Sequence, residues 1–294
     1  MKHSENFTAV SQRLGYENPP KKIQGASGGC IHNSQIWEYD DGQRFFIKQN
    51  NADAEEMLKA EFEALVEIRE TKTVRCPEPR FFDVFPDIGC ILVLEYLDLQ
   101  SLGKESSRVL GQKLAHLHNV KSAHFGFRHA NFIGATPQPN TFMEHWAEFF
   151  WGQRIAYQIR LASKNGHSFS NVSKLESSIL NGLADREISP SLLHGDLWGG
   201  NAAALPDGTP VVFDPASYYG DPEADIAFTE VFGGFPKAFY TAYRDHSDWD
   251  QEGYERRKHI YNLYHYLNHL NLFGSGYYGS CASIIDDTIR RYGN

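Results

Sequence analysis

The sequence LLHGDLWGGN, residues 192–201, contains the pattern that decides the fold of this chain. Within it, Asp196 follows a His-Gly pair, and four residues separate it from Asn201. The run VVFDP, residues 211–215, places a second acidic residue, Asp214, at the end of a predicted strand. Three oxygen-bearing side chains on two short segments are suited to holding a metal ion beside a reacting hydroxyl group.

The spacing of these residues is that of the catalytic loop and the metal-binding aspartate in kinase-like phosphotransferases. Phosphoryl transfer requires a carboxylate at the hydroxyl nucleophile and further oxygen ligands for the Mg²⁺ that neutralises the phosphates. We therefore expect Asp196 to be the catalytic base, with Asn201 and Asp214 as metal ligands and His194 as a buried support of the loop. The alternative, an ordinary turn with Asn201 as a cap, leaves Asp214 unexplained.

Length and composition predict a folded, two-lobed protein. The 294 residues exceed the usual size of one compact core, and 41% hydrophobic residues provide ample material for a packed interior. The 37 acidic and 28 basic residues give a net charge of -9, and no basic cluster stands out. Nucleic acid is therefore not an expected partner.

Targeting signals and cysteine usage predict a cytoplasmic protein. The N-terminal sequence MKHSENFTAV lacks a basic region followed by an apolar run, and no run of about 18 apolar residues offers a membrane span. The four cysteines form no C-x-x-C pair and are too few for a disulfide framework in this length of chain. We expect no membrane partner and reduced thiols.

The N-terminal part predicts a glycine-rich turn between two strands. The sequence GASGGC, residues 25–30, precedes a strand, DDG at 40–42 forms the next turn, and RFFIK at 44–48 forms the third strand. Gly28 and Gly29 would permit close approach of the backbone to phosphate oxygens. Glycine-rich hairpins without this role are common, so this interpretation depends on its context.

Lys48 and the following helix provide that context. Apolar residues recur at helical spacing in residues 53–65. A lysine on the strand after the glycine turn can contact the nucleotide phosphates if a carboxylate of this helix positions its ammonium group. We expect Glu61 to be that partner, while Glu55, Glu56 and Glu63 remain competitors.

The sequence CILVLEYL, residues 90–97, predicts a buried strand, and the polar sequence DLQS at 98–101 predicts a linker between lobes. We place the N-terminal nucleotide-binding lobe at residues 1–98 and the C-terminal catalytic and acceptor-binding lobe at 99–294. Backbone groups of Glu95 and Leu97 could pair with the adenine edge, although an edge strand would show the same pattern.

Two helical segments of the second lobe allow alternative interpretations. The sequence WAEFFWGQR, residues 146–154, is dense in aromatic residues, which favours core packing over a wall of the acceptor pocket. His265 and His269 lie on one face of a predicted helix at the spacing of metal ligands. No third ligand accompanies them, so we favour helix packing.

Taken together, several motifs resemble the fructosamine kinase, or ketosamine-3-kinase, family. They are HGDLWGGN at 194–201, FDPASYYGDPEADIAFTEVFGGF at 213–235, GASGGC at 25–30, FFIKQ at 45–49 and PQPN at 137–140. The resemblance implies an α+β, bilobal protein-kinase-like fold, with an antiparallel sheet and one main helix in the first lobe and a mostly helical second lobe. It also implies ATP and Mg²⁺ as cosubstrate and cofactor, and phosphorylation of the 3-hydroxyl of ketosamines.

The same resemblance implies roles for three further residues. Trp198 would lie beside the acceptor sugar, where an indole face suits the apolar face of a sugar ring, although a buried loop anchor is an equal alternative. Asp225 would brace the catalytic loop from a following helix. Cys30 would lie in an exposed loop whose N–H groups stabilise a thiolate, and a disulfide there could join two chains into a redox-sensitive homodimer.

Two other functions remain open at this point. One is a phosphotransferase for another small acceptor, such as an aminoglycoside, choline or a plain sugar. The other is a nucleotide-binding pseudokinase that acts as a redox-gated scaffold. The four intact residues of the predicted site disfavour the scaffold: Lys48, Asp196, Asn201 and Asp214. The sequence does not define which ketosamine, free or protein-linked, would be preferred.

Overall fold

The computed structural model of the chain describes residues 7–26 and 33–293. A five-stranded antiparallel sheet with the order β1-β2-β3-β5-β4 forms the first lobe. Two helices accompany the sheet. In chain order the elements are α1 (Thr8–Arg13), β1 (Lys22–Gly25), β2 (Asn33–Glu38), β3 (Arg44–Asn50), α2 (Glu55–Thr71), β4 (Pro79–Phe85) and β5 (Gly89–Glu95).

The second lobe is mostly helical, with short two-stranded ribbons between the helices. Its helices are α3 (Lys104–His118), α4 (Trp146–Phe149), α5 (Ala156–Lys164), α6 (Val172–Gly182), α7 (Pro222–Thr229), α8 (Lys237–Asp245), α9 (Gln251–Phe273) and α10 (Tyr278–Tyr292). Its strands are β6 (Asn131–Ile133), β7 (Thr136–Gln138), β8 (Ser191–Leu192), β9 (Ala202–Ala204), β10 (Pro210–Val212) and β11 (Tyr219–Gly220).

Strand β5 is covered on both faces. Ile91 and Val93 belong to a cluster with Val10 of α1, whereas Cys90 and Leu92 face the large core that includes α2. Because successive side chains of a strand point to opposite faces, burial on both sides requires an unbroken apolar run rather than an alternating one. This explains why the sequence CILVL predicts a buried strand.

Helix α2 presents Glu61 on its buried face. Leu58 and Leu65 are fully buried and lie three residues before and four residues after Glu61, so the three side chains share one face of the helix. The helix ends where Lys72 adopts a left-handed conformation with φ 56°. It begins two residues later and ends six residues later than predicted, while Glu55 and Glu56 are exposed at its start.

Helices α3 and α8 pack closely in the second lobe. A Cβ atom at Gly111 of α3 would lie 2.2 Å from the carbonyl oxygen of Phe239 in α8, so only glycine permits this approach. The glycine therefore sets the distance between these two helices. His118, at the end of α3, contacts Asp225 of α7 at 3.1 Å.

The aromatic segment before the catalytic loop is part of the core. Trp146, Phe149 and Phe150 are all buried, which confirms the packing interpretation. The helix widens to π geometry over Phe150–Ile155 and places Arg154 entirely inside the lobe. There Arg154 donates hydrogen bonds to the Pro139 carbonyl at 2.6 Å and to the Asn140 side chain at 2.7 Å. Two oxygen atoms of the PQPN sequence therefore bind the buried guanidinium group of Arg154.

A buried ionic network holds the start of α7 against α9. Asp221 is fully buried and accepts hydrogen bonds from Arg186 at 2.8 Å, from the Tyr261 hydroxyl at 2.7 Å and from the Glu223 N–H at 2.9 Å. Glu223 in turn binds Arg257 through two hydrogen bonds. The buried carboxylates of Asp221 and Glu223 are tolerated here because each has an arginine as its cationic partner.

We expect Arg186→Leu to lower the free energy of unfolding by about 3–5 kcal/mol, because the buried Asp221 loses its cation. Urea denaturation of both proteins measures the change. The matched control is Arg256→Leu, which removes an exposed pair with Glu252 and should cost less than about 1 kcal/mol. Equal losses for the two variants would contradict the importance assigned to the network.

The antiparallel sheet with one main helix and the mostly helical second lobe confirm the predicted α+β architecture. Residues 96–103 connect β5 to α3, and the predicted boundary between residues 98 and 99 falls within them. That boundary stays a prediction. Among the helices of residues 7–26 and 33–293, none has both the length and the apolar character needed to cross a membrane.

Candidate active site

Lys48 lies between two carboxylates that come from different lobes. Its Nζ atom is 2.6 Å from Glu61 Oε1 of α2 and 2.7 Å from Asp214 Oδ1 of the second lobe. Burial alone would lower the pKa of Lys48, but the two neighbouring carboxylates outweigh burial and raise this pKa. The ammonium group therefore stays charged. The predicted Lys48–Glu61 contact is present, and Glu63 is not a competitor for Lys48 in this arrangement.

Helix α2 is also tied to the second lobe further along its length. Glu67 accepts a hydrogen bond from the Tyr219 hydroxyl at 2.8 Å and pairs with Arg128 at 2.7 Å. Tyr219 follows Asp214 by five residues, so both ends of this short segment contact α2, one of them through Lys48. These links fix the helix in the position that brings Glu61 to Lys48.

The catalytic loop and the segment around Asp214 are joined by main-chain hydrogen bonds. Phe213 N–H donates to the Asn201 carbonyl at 3.0 Å, and Ala216 N–H donates to the His194 carbonyl at 2.9 Å. Gly195 has φ 83°, and a Cβ atom there would lie 2.1 Å from the Ala216 carbonyl oxygen. Only glycine fits, since both the φ angle and the contact exclude a side chain. This packing brings Asp196, Asn201 and Asp214 together.

Asp225 of α7 holds the catalytic loop from below. One of its carboxylate oxygens accepts the His194 N–H at 2.7 Å, and the other accepts the Gly195 N–H at 2.8 Å. His118 Nε2 lies 3.1 Å from the same carboxylate. Burial would raise the pKa of Asp225, but the His118 contact and the charges and N–H groups around it lower this pKa overall. The predicted bracing contact is therefore present.

The His194 ring stabilises the loop in its neutral form. Its Nε2 lies 3.0 Å from the Phe213 carbonyl, which can only accept, so Nε2 carries the proton. Its Nδ1 then accepts the Asp196 N–H at 3.3 Å. Burial lowers the pKa of His194, against the opposing effect of Asp225. His194 is completely buried, as predicted.

Asp196 and Asn201 contact each other directly. The Asn201 amide nitrogen donates to the Asp196 carbonyl at 2.8 Å and to its carboxylate at 3.1 Å. Burial, together with the negative charge of Asp214, raises the pKa of Asp196 to about 7, although the Asn201 hydrogen bond lowers it. A carboxyl group with this pKa is matched to proton transfer near neutral pH.

The oxygen donors of Asn201 and Asp214 fit a magnesium ion. Because the Asn201 amide nitrogen is engaged with Asp196, its carbonyl oxygen remains as an acceptor. Asp214 has φ 57°, an uncommon conformation for a residue other than glycine, and its side chain is 39% exposed. Carboxylate and amide oxygens such as these are the donors that Mg²⁺ uses together with substrate phosphates.

Trp198 is an exposed residue of the catalytic loop. Leu197 is completely buried, whereas the Trp198 side chain is 37% exposed, so the indole is not the buried loop anchor that the sequence left open. A Cβ atom at Gly200 would lie 2.3 Å from the indole ring. The indole ring therefore occupies space that is free only because Gly200 has no side chain.

Comparison with known proteins shows the family of this chain. The family model described as fructosamine kinase matches residues 3–291. The chain belongs to the fructosamine kinase family. A protein named "Probable ketoamine kinase" from Synechocystis sp. is 42% identical over 282 residues, covering 96% of this chain and 95% of that protein. A chloroplastic protein-ribulosamine 3-kinase of Arabidopsis thaliana is 40% identical over 282 residues, covering 92% and 83%.

Solved structures agree with the family and with the predicted fold. A crystal structure described as a fructosamine-3-kinase, from Haemophilus somnus, has a TM-score of 0.89 at 27% identity and covers 98% of this chain and 97% of that one. The choline kinase LicA from Streptococcus pneumoniae, at 14% identity, has a TM-score of 0.64 with coverage of 99% and 100%, which shows a shared fold alone. The predicted bilobal protein-kinase-like fold is thereby confirmed.

The predicted adenine-binding residues of this fructosamine kinase family member lie where β5 leaves the sheet. The Glu95 side chain binds Arg75, and its N–H donates to the Glu78 carbonyl at 2.8 Å. An adenine could therefore engage only the carbonyl group of Glu95. Leu97 follows in the connection between the lobes. The roles of Glu95 and Leu97 stay predictions, and Gly28, Gly29 and Cys30 lie outside the described residues.

Sequence reasoning missed several residues that shape this family member's site. Tyr219 and Glu67 tie α2 to the second lobe, Gly200 seats Trp198, and Phe232 lies against the same indole with ring centroids 6.2 Å apart. The glycine pair in GGN, residues 199–201, was a signal for Gly200, because the second glycine serves no obvious turn. The contacts of Tyr219 span the two lobes and have no local signature.

We expect Gly200→Ala to displace the Trp198 indole, because the new methyl group would occupy the position of its ring. If Trp198 contacts the acceptor, kcat/KM for the acceptor falls about tenfold or more, whereas the Kd for ATP changes little. Steady-state kinetics and titration calorimetry measure the two quantities. Gly199→Ala, at a glycine with open space around its Cβ position, is the control. Equal kinetics in both variants would contradict the assignment.

Proposed function

We propose that this protein is an ATP-dependent kinase that phosphorylates the 3-hydroxyl of ketosamines. The observation that carries the proposal is the meeting of Lys48, Asp196 and Asp214, with Asn201, in one interlobe site of a fructosamine kinase family member. The arrangement provides a cation for phosphates, a base for a hydroxyl group and oxygen donors for a metal ion.

Asp196 acts on the acceptor in this mechanism. Its carboxylate orients the sugar hydroxyl and takes its proton while the hydroxyl oxygen forms a bond to the γ-phosphorus of ATP. The bond between this phosphorus and the bridging oxygen breaks, and ADP leaves with the electron pair. Burial raises the pKa of this carboxyl group, which makes it a better proton acceptor. Asn201 holds the carboxylate in place at 3.1 Å.

The remaining residues position the nucleotide. Lys48 would bind the α- and β-phosphates, with Glu61 holding its ammonium group at 2.6 Å. Asn201 and Asp214 would hold Mg²⁺, which neutralises phosphate charge when it is bound. In the described structure Asp214 pairs with Lys48, so nucleotide binding would exchange part of this contact for phosphate oxygens. Positioning and charge neutralisation supply most of the acceleration in such reactions.

The acceptor would lie on the second lobe beside Trp198. The exposed indole next to Asp196 suits the apolar face of a sugar ring, while its neighbouring polar groups can sort hydroxyl groups. The names of the relatives support a ketosamine of the fructosamine or ribulosamine type. We propose a free or protein-linked ketosamine as the acceptor and the cytoplasm as the place of action. Homodimer formation through Cys30 stays a prediction.

An acceptor panel tests the proposed function. ADP release is measured with MgATP and, in separate reactions, a fructosamine, a ribulosamine, an aminoglycoside, choline and free fructose. We expect turnover with the ketosamines and little above background with the other acceptors. Preference for an aminoglycoside, choline or plain sugar would identify the alternative phosphotransferase. Nucleotide binding without turnover of any acceptor would favour the scaffold alternative.

A further inference from the structure

A row of aromatic rings extends from the catalytic loop to the protein surface. We call it the aromatic strip. Trp198 contacts Phe232 edge-to-face at 6.2 Å, and Phe232 contacts His269 at 4.8 Å. His269 then contacts Phe273 at 5.4 Å and Tyr277 at 5.2 Å. The inner end of the strip is the Trp198 indole, which the proposed function places beside the acceptor. Phe273 and Tyr277 form its outer part.

Phe232 is the unusual member of the strip. It has φ 58°, in the left-handed region that bulky residues rarely adopt, and its side chain is 45% exposed. Such strained conformations persist only where the surrounding structure enforces them, and they cluster at ligand-binding sites. A strained backbone that holds an apolar ring in solvent does not increase the stability of the folded chain. A role in binding explains both features.

The ends of the loop that carries Phe232 are firmly anchored. Before the loop, Glu230 accepts hydrogen bonds from the Tyr254 hydroxyl at 2.8 Å and from Lys258 at 2.9 Å. After it, Phe235 N–H donates to the Tyr240 hydroxyl at 3.0 Å. These contacts fix the loop on both sides and hold the Phe232 ring opposite the indole.

The chemistry of this part of the strip favours a cation. The planes of Trp198 and Phe232 meet at 80°, so the two rings form two sides of a corner. Their π faces carry negative potential. His269 Nδ1 lies 2.8 Å from the His265 carbonyl, so Nδ1 carries a proton and Nε2 remains as a hydrogen-bond acceptor. Burial lowers the pKa of His269, which keeps the ring uncharged at neutral pH.

A ketosamine carries a cation two carbons away from the hydroxyl group that is phosphorylated. Its amine is attached to the first sugar carbon, one carbon beyond the keto group, and is protonated at neutral pH as a dialkylammonium. We propose that Phe232, together with Trp198, binds this ammonium group by cation–π contact and is a specificity-determining residue. This inference rests on the proposed function, and it assigns the outer part of the aromatic strip to the carrier chain of the amine.

The test compares two acceptors in the full-length protein. One is a fructosamine with an alkylamine carrier, and the other is the uncharged ether analogue of the same length. For the wild type we expect kcat/KM to be at least ~5-fold higher with the cationic acceptor. Phe232→Leu should bring this ratio towards one, because it should lower kcat/KM more for the cationic acceptor than for the ether analogue. Phe232→Tyr, which keeps a π face, should retain the ratio.

Controls separate this inference from its foundations. Phe142→Leu removes a similarly exposed ring outside the strip and should leave the ratio unchanged. A wild type that uses both acceptors equally, or a Phe232→Leu variant with equal losses for both, overturns the role of Phe232 while the kinase function stands. A wild type that phosphorylates neither acceptor overturns the proposed function itself. If Phe232→Leu does not fold, Phe232→Asn replaces it, because asparagine tolerates the left-handed backbone and has no aromatic face; it should lower the ratio in the same way.

Discussion

Replacement of Asp196 by asparagine is expected to lower kcat at least ~10²-fold while the Kd for ATP stays nearly unchanged. The amide is close in shape to the carboxylate but cannot accept the hydroxyl proton. The Asn201 contact with the Asp196 main-chain carbonyl does not depend on the carboxylate and should persist. Single-turnover transfer from MgATP to a fructosamine measures the first quantity, and titration calorimetry measures the second.

A matched control for this variant is Asp207→Asn. Asp207 is an exposed carboxylate in the turn between β9 and β10, where it accepts the Thr209 N–H. Its replacement should leave kcat within about twofold of the wild type, since it contacts neither lobe's reacting groups. If Asp196→Asn keeps turnover within tenfold of the wild type, another group must take the proton and the assigned base is wrong.

The second large effect is expected for Lys48→Met. The substitution removes the ammonium group that lies between Glu61 and Asp214, leaving two close carboxylates without their cation. Nucleotide phosphates would then meet net negative charge at the site. We expect kcat/KM for ATP to fall about 10²–10³-fold, the loss typical when one preorganised electrostatic contact is removed from an active site. Initial rates over a range of MgATP concentrations measure it.

Lys59→Met provides the control on the same helix as Glu61. Lys59 is exposed on α2, one residue after the buried Leu58, so its charge faces solvent. This variant should retain kcat/KM for ATP. Thermal unfolding of both variants checks that they remain folded. A Lys48→Met protein with wild-type kcat and KM for ATP would show that phosphate binding does not depend on the interlobe lysine.

The part of the site with local sequence signals could be predicted. Asp196 and Asn201 lie in one loop, and Asp214 follows a nearby strand. The distances between these residues along the sequence therefore indicate their chemistry. The Lys48–Glu61 pair followed from the same kind of argument. Glu61 shares the helical face of Leu58 and Leu65, and this distinguishes it from the exposed Glu55 and Glu56.

The parts that depend on contacts distant in the chain could not be predicted. Tyr219 meets Glu67 across 152 positions, and no pattern near either residue indicates the contact. The left-handed conformation of Phe232 could not be predicted either. Bulky residues rarely adopt this conformation, and they do so only where the surrounding structure enforces it. The buried Arg154 requires a π-helical turn that apolar periodicity does not reveal.

The fold was more predictable than the details of the site for a related reason. An apolar run such as that of β5 or a periodic helix such as α2 records its burial in its own sequence. The requirement for glycine at position 195 instead depends on the carbonyl oxygen of Ala216, which a different segment supplies. Motif spacing therefore indicates which residues meet, while the packing that orients them appears only in three dimensions.

The most direct test of the account is the position of phosphate on the product. The wild-type protein is incubated with MgATP and a fructosamine, and the product is analysed by phosphorus–proton correlation NMR. We predict a single phosphate coupled to the proton on the third sugar carbon. Phosphate on another hydroxyl group, or hydrolysis of ATP without a phosphorylated sugar, would contradict the proposed ketosamine 3-kinase activity.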